Sequence, residues 1–163
     1  MLTAPFLVLS LQLDLDTQIN CGRLFLYDFE KGHLGHWMAT SGLGQYQKPG
    51  DWEHKGGGVL PPPHCCNPKF ANYWVETEPQ DGSDIKGIEG DMFLIKPEYV
   101  SLNNGVERGL FRIHRDANVP GTLGCIGLPG DEFNDFESAF KSLTQGHEQV
   151  KLWVQYDYGN YPT

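Results

Sequence analysis

Residues 1–16 read MLTAPFLVLSLQLDLD, with leucines at positions 7, 9, 11, 13 and 15. A period of two places all five on one face of a strand, with Ser10, Gln12 and Asp14 on the other. The stretch superficially suggests a secretory leader, but it lacks the basic n-region of one and is read as the first strand of the fold. No apolar run approaches the ~20 residues that a membrane-spanning helix needs.

The same alternation recurs along the chain. Strands are expected at 22–29 (GRLFLYDF), 34–40 (LGHWMAT), 70–77 (FANYWVET), 91–97 (DMFLIKP), 110–115 (LFRIHR) and 150–156 (VKLWVQY). All are rich in aromatic and branched residues and are bounded by Gly, Pro, Asn or Asp. One segment, DEFNDFESAFKSLTQG at 131–146, changes period: Phe133, Phe136, Phe140 and Leu143 recur at helical spacing. Asp131 is the expected N-cap of that helix and Gly146 its stop. The chain is thus expected to be mostly β and mostly antiparallel, with one α-helix in its C-terminal half. Residues 1–163 are read as a single domain, because no repeat or second core marks a boundary. The region 45–69 contains GGG and PPP runs and cannot be a central strand. A connection of that length is expected to be functional or mobile.

Composition excludes some classes. Twelve basic against 21 acidic residues leave a net charge of −9, the wrong sign for holding a polyanion, and no Lys/Arg stripe exists. Nucleic acid is therefore not an expected partner. The four cysteines, Cys21, Cys65, Cys66 and Cys125, form no C-x-x-C pair, and two of them are adjacent. A core-stabilised protein made in a reducing compartment fits this better than a disulfide scaffold.

The segment FRIHRDANVPGTLGCIGL, 111–128, sets His114 eleven residues before Cys125. A cysteine nucleophile needs its proton removed, and an imidazole can take it. A glycine before the nucleophile lets a substrate carbonyl approach the backbone N–H groups there. The turn chemistry of RDANVPG lets the chain double back and bring strand and cysteine side by side. Against this stands the plain alternative that Cys125 is a small buried hydrophobe. Arg112 and Arg115 flank His114 and are expected on the opposite face of the strand. Asp116 shares the face of His114 and could orient the imidazole, or it could be a solvated turn carboxylate. The H-R-D spelled by residues 114–116 lacks the glycine-rich loop and D-F-G of a kinase and is a coincidence. His33, His36, His54, His64, Cys65 and Cys66 are zinc-ligand types near one flexible region, but none falls at H-E-x-x-H spacing. Trp52, Tyr73, Trp74 and Trp153 could line a groove, although strand aromatics more often sit in a core.

Ile113-His114 followed by Thr122-Leu123-Gly124-Cys125-Ile126 resembles the signature of the L,D-transpeptidase (YkuD-like) catalytic domain, an I-H stretch before a [Ser/Thr]-x-Gly-Cys-[apolar] turn. The resemblance extends to the opening strand pair, Thr40-Ser41-Gly42, the GGGVLPP segment, and the helix and strand after the cysteine. The His-to-Cys spacing is more similar to the toxin or lytic branch. The resemblance implies an L,D-transpeptidase-like β-sandwich. It further implies Cys125 as nucleophile on a peptidoglycan stem-peptide carbonyl and His114 as base and later acid. Gly124 and Cys125 N–H would form the oxyanion site, Thr122 would shape the turn or touch substrate, and no cofactor or metal is implied. Arg112, Arg115 and Asp116 are the nearby candidates for orienting or contacting. Leu123 and Gly127 depart from the family, which often has His before the Gly-Cys and Arg or Asn two residues after the cysteine. Small size without an anchor or wall-binding module suits an enzyme made in the cytoplasm and delivered to the wall by another system, such as a phage lysis protein or an injected effector. A zinc-dependent wall peptidase and a non-catalytic wall-binding or virion module are the rival readings. Nothing in the sequence indicates an oligomeric state.

Overall fold

A computed structural model describes residues 4–13, 20–66, 73–117 and 122–157. Its strands are β1 (Phe6–Leu13), β2 (Asn20–Asp28), β3 (Gly32–Ala39), β4 (Tyr73–Glu76), β5 (Gln80–Asp81), β6 (Asp91–Lys96), β7 (Tyr99–Ser101), β8 (Glu107–Gly109), β9 (Arg112–Asp116), β10 (Ile126–Pro129) and β11 (Gln149–Asp157). The helix α1 spans Gly130–Leu143. The period-two face of the first strand is realised: Leu7, Leu9 and Leu11 are fully buried. Leu15 lies outside the described residues, as do residues 70–72 of the strand expected at 70–77.

Nine strands form one mixed sheet in the order β10-β9-β6-β4-β11-β1-β2-β3, with β5 beside β6, while β7 and β8 make a separate hairpin. Most pairs are antiparallel, but β1 with β11 and β9 with β10 are parallel. The two ends of the sheet meet where Thr40, just past β3, exchanges hydrogen bonds with Gly127 of β10: Thr40 N–H to Gly127 O at 2.8 Å, Gly127 N–H to Thr40 O at 2.9 Å. The architecture is therefore mostly β, as expected. Its layers come from one nearly closed sheet curling onto itself.

The helix packs against β3, β9 and β10. Phe133, Phe136 and Phe140 are buried, as their spacing demands. Phe136 meets Trp37 edge-on at 5.2 Å, and Phe140 meets Phe93 likewise at 5.0 Å. Asp135 accepts from the Trp37 indole N–H at 2.6 Å, so the ring's polar edge is satisfied. Phe136→Ala is expected to lower stability by about 3–5 kcal/mol, read as a fall in urea midpoint, because it empties the contact between helix and sheet. Two boundary expectations are corrected. The helix begins one residue earlier than Asp131, after Pro129 and with no side-chain cap, and Asp131 instead places its charge in the first turn. It ends at Leu143 with Thr144 as C-cap, and Gly146, at φ +84°, turns the chain beyond it.

The Gly- and Pro-rich segment is no free loop in its described part, 45–66. Val59 and Leu60 are fully buried. The Leu60 N–H donates to Ser41 Oγ (2.8 Å), and the Tyr73 and Tyr156 hydroxyls donate to Pro61 O (2.7 Å) and Leu60 O (2.5 Å). The strand expected at 110–115 is also interrupted. Leu110 adopts φ +58°, and β9 starts only at Arg112. Tyr73 belongs to the core, and Trp52 packs partly buried against it. Trp74 and Trp153 flank the Lys151 ammonium, at 5.9 and 4.5 Å.

Candidate active site

The parallel register of β9 and β10 decides where the two reactive side chains lie. Ile126 pairs with Ile113, and Gly127 with His114. Both isoleucines are fully buried, so their face of the sheet is the core. His114 and Gly127 belong to the other face, and Cys125 stands in the turn just before β10, its thiol against the Leu110–Arg112 backbone. Cys125 lies one residue in front of β10, whose first residue, Ile126, pairs with Ile113 beside His114. The connection from Ala117 to Cys125 therefore returns the chain to start a parallel strand rather than closing a hairpin; its residues 118–121 lie outside the described ones. The strand β10 was not legible as a strand because Ile126-Gly127-Leu128-Pro129 is short and half glycine and proline.

His114 is 8% exposed, and its Nδ1 lies 2.6 Å from Arg115 O. A carbonyl only accepts, so Nδ1 carries the proton and, in the neutral ring, Nε2 holds the free lone pair. Burial is the main influence on this imidazole and lowers its pKa; the Arg112 charge adds to the lowering, while the Arg115 carbonyl and the Asp116 charge oppose it. The ring is thus neutral at pH 7 and available as a base.

The half-buried Cys125 thiol points at Leu110 O, 3.8 Å away. It is not hydrogen-bonded to His114, whose polar contact is Arg115 O. Desolvation raises the thiol pKa, against the lowering effect of the Arg112 backbone N–H and the Arg112 and Arg108 charges. The resting pair is therefore thiol and neutral imidazole, not thiolate and imidazolium. Base-assisted attack should lose activity only as pH falls below the ordinary imidazole range, because the His114 value is depressed. Alkylation of Cys125 by iodoacetamide should rise with pH well into the alkaline range. Fast, pH-independent alkylation between about pH 5 and 7 would instead reveal an ion pair.

The turn carrying Cys125 is clamped from beneath by Thr40-Ser41-Gly42. Thr122 N–H donates to Gly42 O (2.7 Å), and the Ser41 hydroxyl donates to Gly124 O (3.4 Å). The Thr122 hydroxyl donates to Cys125 O, so this buried side chain shapes the turn. Gly124 adopts φ +105°, in the region that favours glycine. At Gly127 a Cβ would lie 2.8 Å from Thr122 Cγ2 and 3.2 Å from Asp116 Oδ2, so a larger residue there would have to displace the Thr122 and Asp116 side chains.

The neighbouring charges divide differently from expectation. Arg112 is two residues from His114, so it shares that face rather than opposing it; its guanidinium donates to Leu110 O at 2.7 Å, beside the thiol. Arg115 does lie on the opposite face, where it donates to Asn134 Oδ1 of α1 (2.5 Å) and sits over Phe133, away from any substrate. The imidazole Nδ1 is bonded to the Arg115 carbonyl; Asp116 accepts from the Thr40 hydroxyl at 3.4 Å and acts on His114 through its charge.

Cys125 lies in a groove of about 430 Å³ walled by Lys55 and Gly56 of the long segment and by Tyr99 and Glu107 of the β7–β8 hairpin. Exposed Tyr99, Leu110 and Leu123 give it an apolar rim. The residue that sequence reasoning missed is Arg108, buried at the groove floor. Its guanidinium donates to the carbonyls of Trp52 (2.6 Å), Val59 (2.6 Å), Gly58 (2.8 Å) and Leu123 (3.4 Å). A lone arginine in a polar hairpin carries no sequence signal for that role.

The zinc-ligand types do not converge: among the described residues no three His, Cys, Asp or Glu side chains are grouped to hold a metal ion. His33 and His36 contact each other (3.2 Å) on β3, while His54 stacks on Tyr46. Cys65 and Cys66 are buried, and desolvation pushes both thiols up to about 11. Near pH 8, peptide mapping after iodoacetamide should find Cys125 labelled well before Cys65 and Cys66 in the folded protein.

Fold and site together define a mostly β protein with a cysteine in a groove, one residue before β10, and a buried neutral histidine on the neighbouring parallel strand β9. Compared with protein-family models, with curated proteins and with solved structures, the chain matches none. Among the described residues, no helix is long and apolar enough to cross a membrane.

Proposed function

We propose that this protein is a cysteine-dependent acyltransferase of the L,D-transpeptidase-like class, acting on the stem peptide of peptidoglycan. The observation that carries this reading is Cys125 in an open groove, with an imidazole on the next strand whose Nδ1–H is fixed and whose Nε2 is unprotonated. The resemblance of Ile113-His114 and Thr122-x-Gly124-Cys125 to that family supplies the substrate class.

In the reaction, His114 Nε2 takes the thiol proton as Cys125 Sγ attacks the carbonyl carbon of the penultimate stem residue. The negative charge on the carbonyl oxygen is met by Gly124 and Cys125 N–H. Collapse breaks the C–N bond, the leaving D-amino acid takes the proton from His114, and a Cys125 thioester remains. Water, or an amine, then attacks the thioester, giving its proton to His114, which returns it to the Cys125 sulfur. Water makes the protein an L,D-carboxypeptidase or endopeptidase, and an amine makes it an exchange or cross-linking enzyme. The apolar rim of Tyr99, Leu110 and Leu123 favours the aliphatic part of a peptide, and Lys55 and Glu107 supply charges of both signs on the walls. A lytic or toxin-like role is favoured by the His114-to-Cys125 spacing, which resembles that branch of the family.

Incubation with purified muropeptides, followed by mass spectrometry, tests this. Loss of a terminal D-amino acid means hydrolysis, and its replacement by a supplied D-amino acid means exchange. Activity that survives in Cys125→Ala, or that disappears on chelation, would rule the thiol mechanism out.

A further inference from the structure

Arg108 presents an unusual arrangement for a buried cation. Four of its N–H groups are spent on backbone carbonyls, and the Phe111 ring lies 5.6 Å from its central carbon. No carboxylate lies within ion-pair distance of it among the described residues, so its charge is uncompensated in the immediate shell. Burying a charge is costly unless it is both paired and hydrogen-bonded, and here the hydrogen bonds are made while no carboxylate pairs it.

The geometry also orients two peptide planes. In a trans peptide, C=O and N–H point in opposite directions. Leu123 O is turned to the Arg108 guanidinium, so the Gly124 N–H of the same peptide is turned away from it. Gly124 O is turned to Ser41 Oγ, so the Cys125 N–H is turned away from Ser41 in the same manner. These two N–H groups are the ones assigned to the oxyanion. The same guanidinium grips Gly58 and Val59, fastening the loop that carries Lys55 and Gly56 to the turn that carries Cys125.

We propose that Arg108 is the positioning residue of this site: it fixes the Leu123–Gly124 peptide with its N–H toward the substrate, and it provides the buried positive charge that supports negative charge developing at Cys125 and at the substrate oxygen. Four of its five N–H groups are engaged, so it acts through the peptide and through its field rather than by touching the substrate. The proposal rests on Cys125 being the nucleophile, but not on peptidoglycan being the substrate.

Two variants test it, with folding checked by circular dichroism. Arg108→Met removes charge and fork, and the pH midpoint of Cys125 alkylation by iodoacetamide should move up by about one unit. Arg108→Lys restores the charge and not the fork, so the midpoint should return toward the parental value. Its kcat on muropeptides should nonetheless fall about 10²–10³-fold with KM little changed. A purely structural brace would lower the melting temperature of both variants and leave the alkylation midpoint where it was. A folded Arg108→Met with the parental midpoint overturns the proposal, and so does Arg108→Lys with parental kcat. If Arg108→Met does not fold, the lysine variant decides by itself. If the parent turns over no muropeptide, the substrate reading fails, and the alkylation midpoints of the two variants still decide the role of Arg108.

Discussion

Cys125→Ala and His114→Ala are each expected to reduce turnover of a stem-peptide substrate by about 10⁴-fold or more, and the double variant should be little worse than either single one. The reason is that the two side chains perform one event. Without His114 the thiol, whose pKa is raised by burial, keeps its proton at neutral pH. Without the thiol the imidazole has nothing to activate. Independent contributions would multiply, whereas members of one unit do not. Steady-state kinetics of the three variants measures this directly. His114→Gln is the informative companion: an amide can keep the donor to Arg115 O but cannot accept and return a proton, so it should be as inactive as alanine while leaving the melting temperature nearer that of the parent.

Gly124→Ala is expected to damage both stability and activity. Gly124 stands at φ +105°, and a Cβ there would lie 2.4 Å from Arg108 Nη2, 2.9 Å from Phe111 Cε1 and 3.3 Å from Gly58 O. Arg108 cannot easily retreat, since four carbonyls hold it. Backbone strain and overpacking together should cost about 2–5 kcal/mol. The displaced turn should lower kcat by about 10²-fold, because a shift on the order of 1 Å at a nucleophile is enough for that. Gly130→Ala serves as the control. A Cβ there meets nothing within 4 Å, and the melting temperature and kcat of that variant should stay near those of the parent.

The parts of this account that sequence could reveal are those written in short-range pattern. Alternating leucines at 7, 9 and 11 and phenylalanines at 133, 136 and 140 each see one buried face, so periodicity announces them. Residue type and order singled out His114 and Cys125, and the parallel pairing of β9 with β10 brings their segments alongside each other. What patterning could not reveal is the long-range closure. Thr40 meets Gly127 across 87 positions, and Ser41 reaches Gly124 across 83, through backbone atoms and two hydroxyls that have no hydropathy signature. Arg108 was invisible for the same reason, since its partners are carbonyls rather than complementary side chains. The face assigned to Arg112 was misjudged by counting flanking positions instead of applying the two-residue period. The break at Leu110, a non-glycine residue at positive φ, has no composition cue at all.

The claim on which the account turns is that Cys125 becomes acylated. Acid-quenched mixtures of the protein with a muropeptide, digested and analysed by mass spectrometry, measure this at the residue. The expected result is a stem-peptide acyl mass on the Cys125-containing fragment, labile to hydroxylamine as a thioester is. It should accumulate with release of one terminal D-amino acid per site and be absent in Cys125→Ala. Product release at the parental rate with Cys125→Ala, and no adduct on that fragment in the parent, would contradict the account.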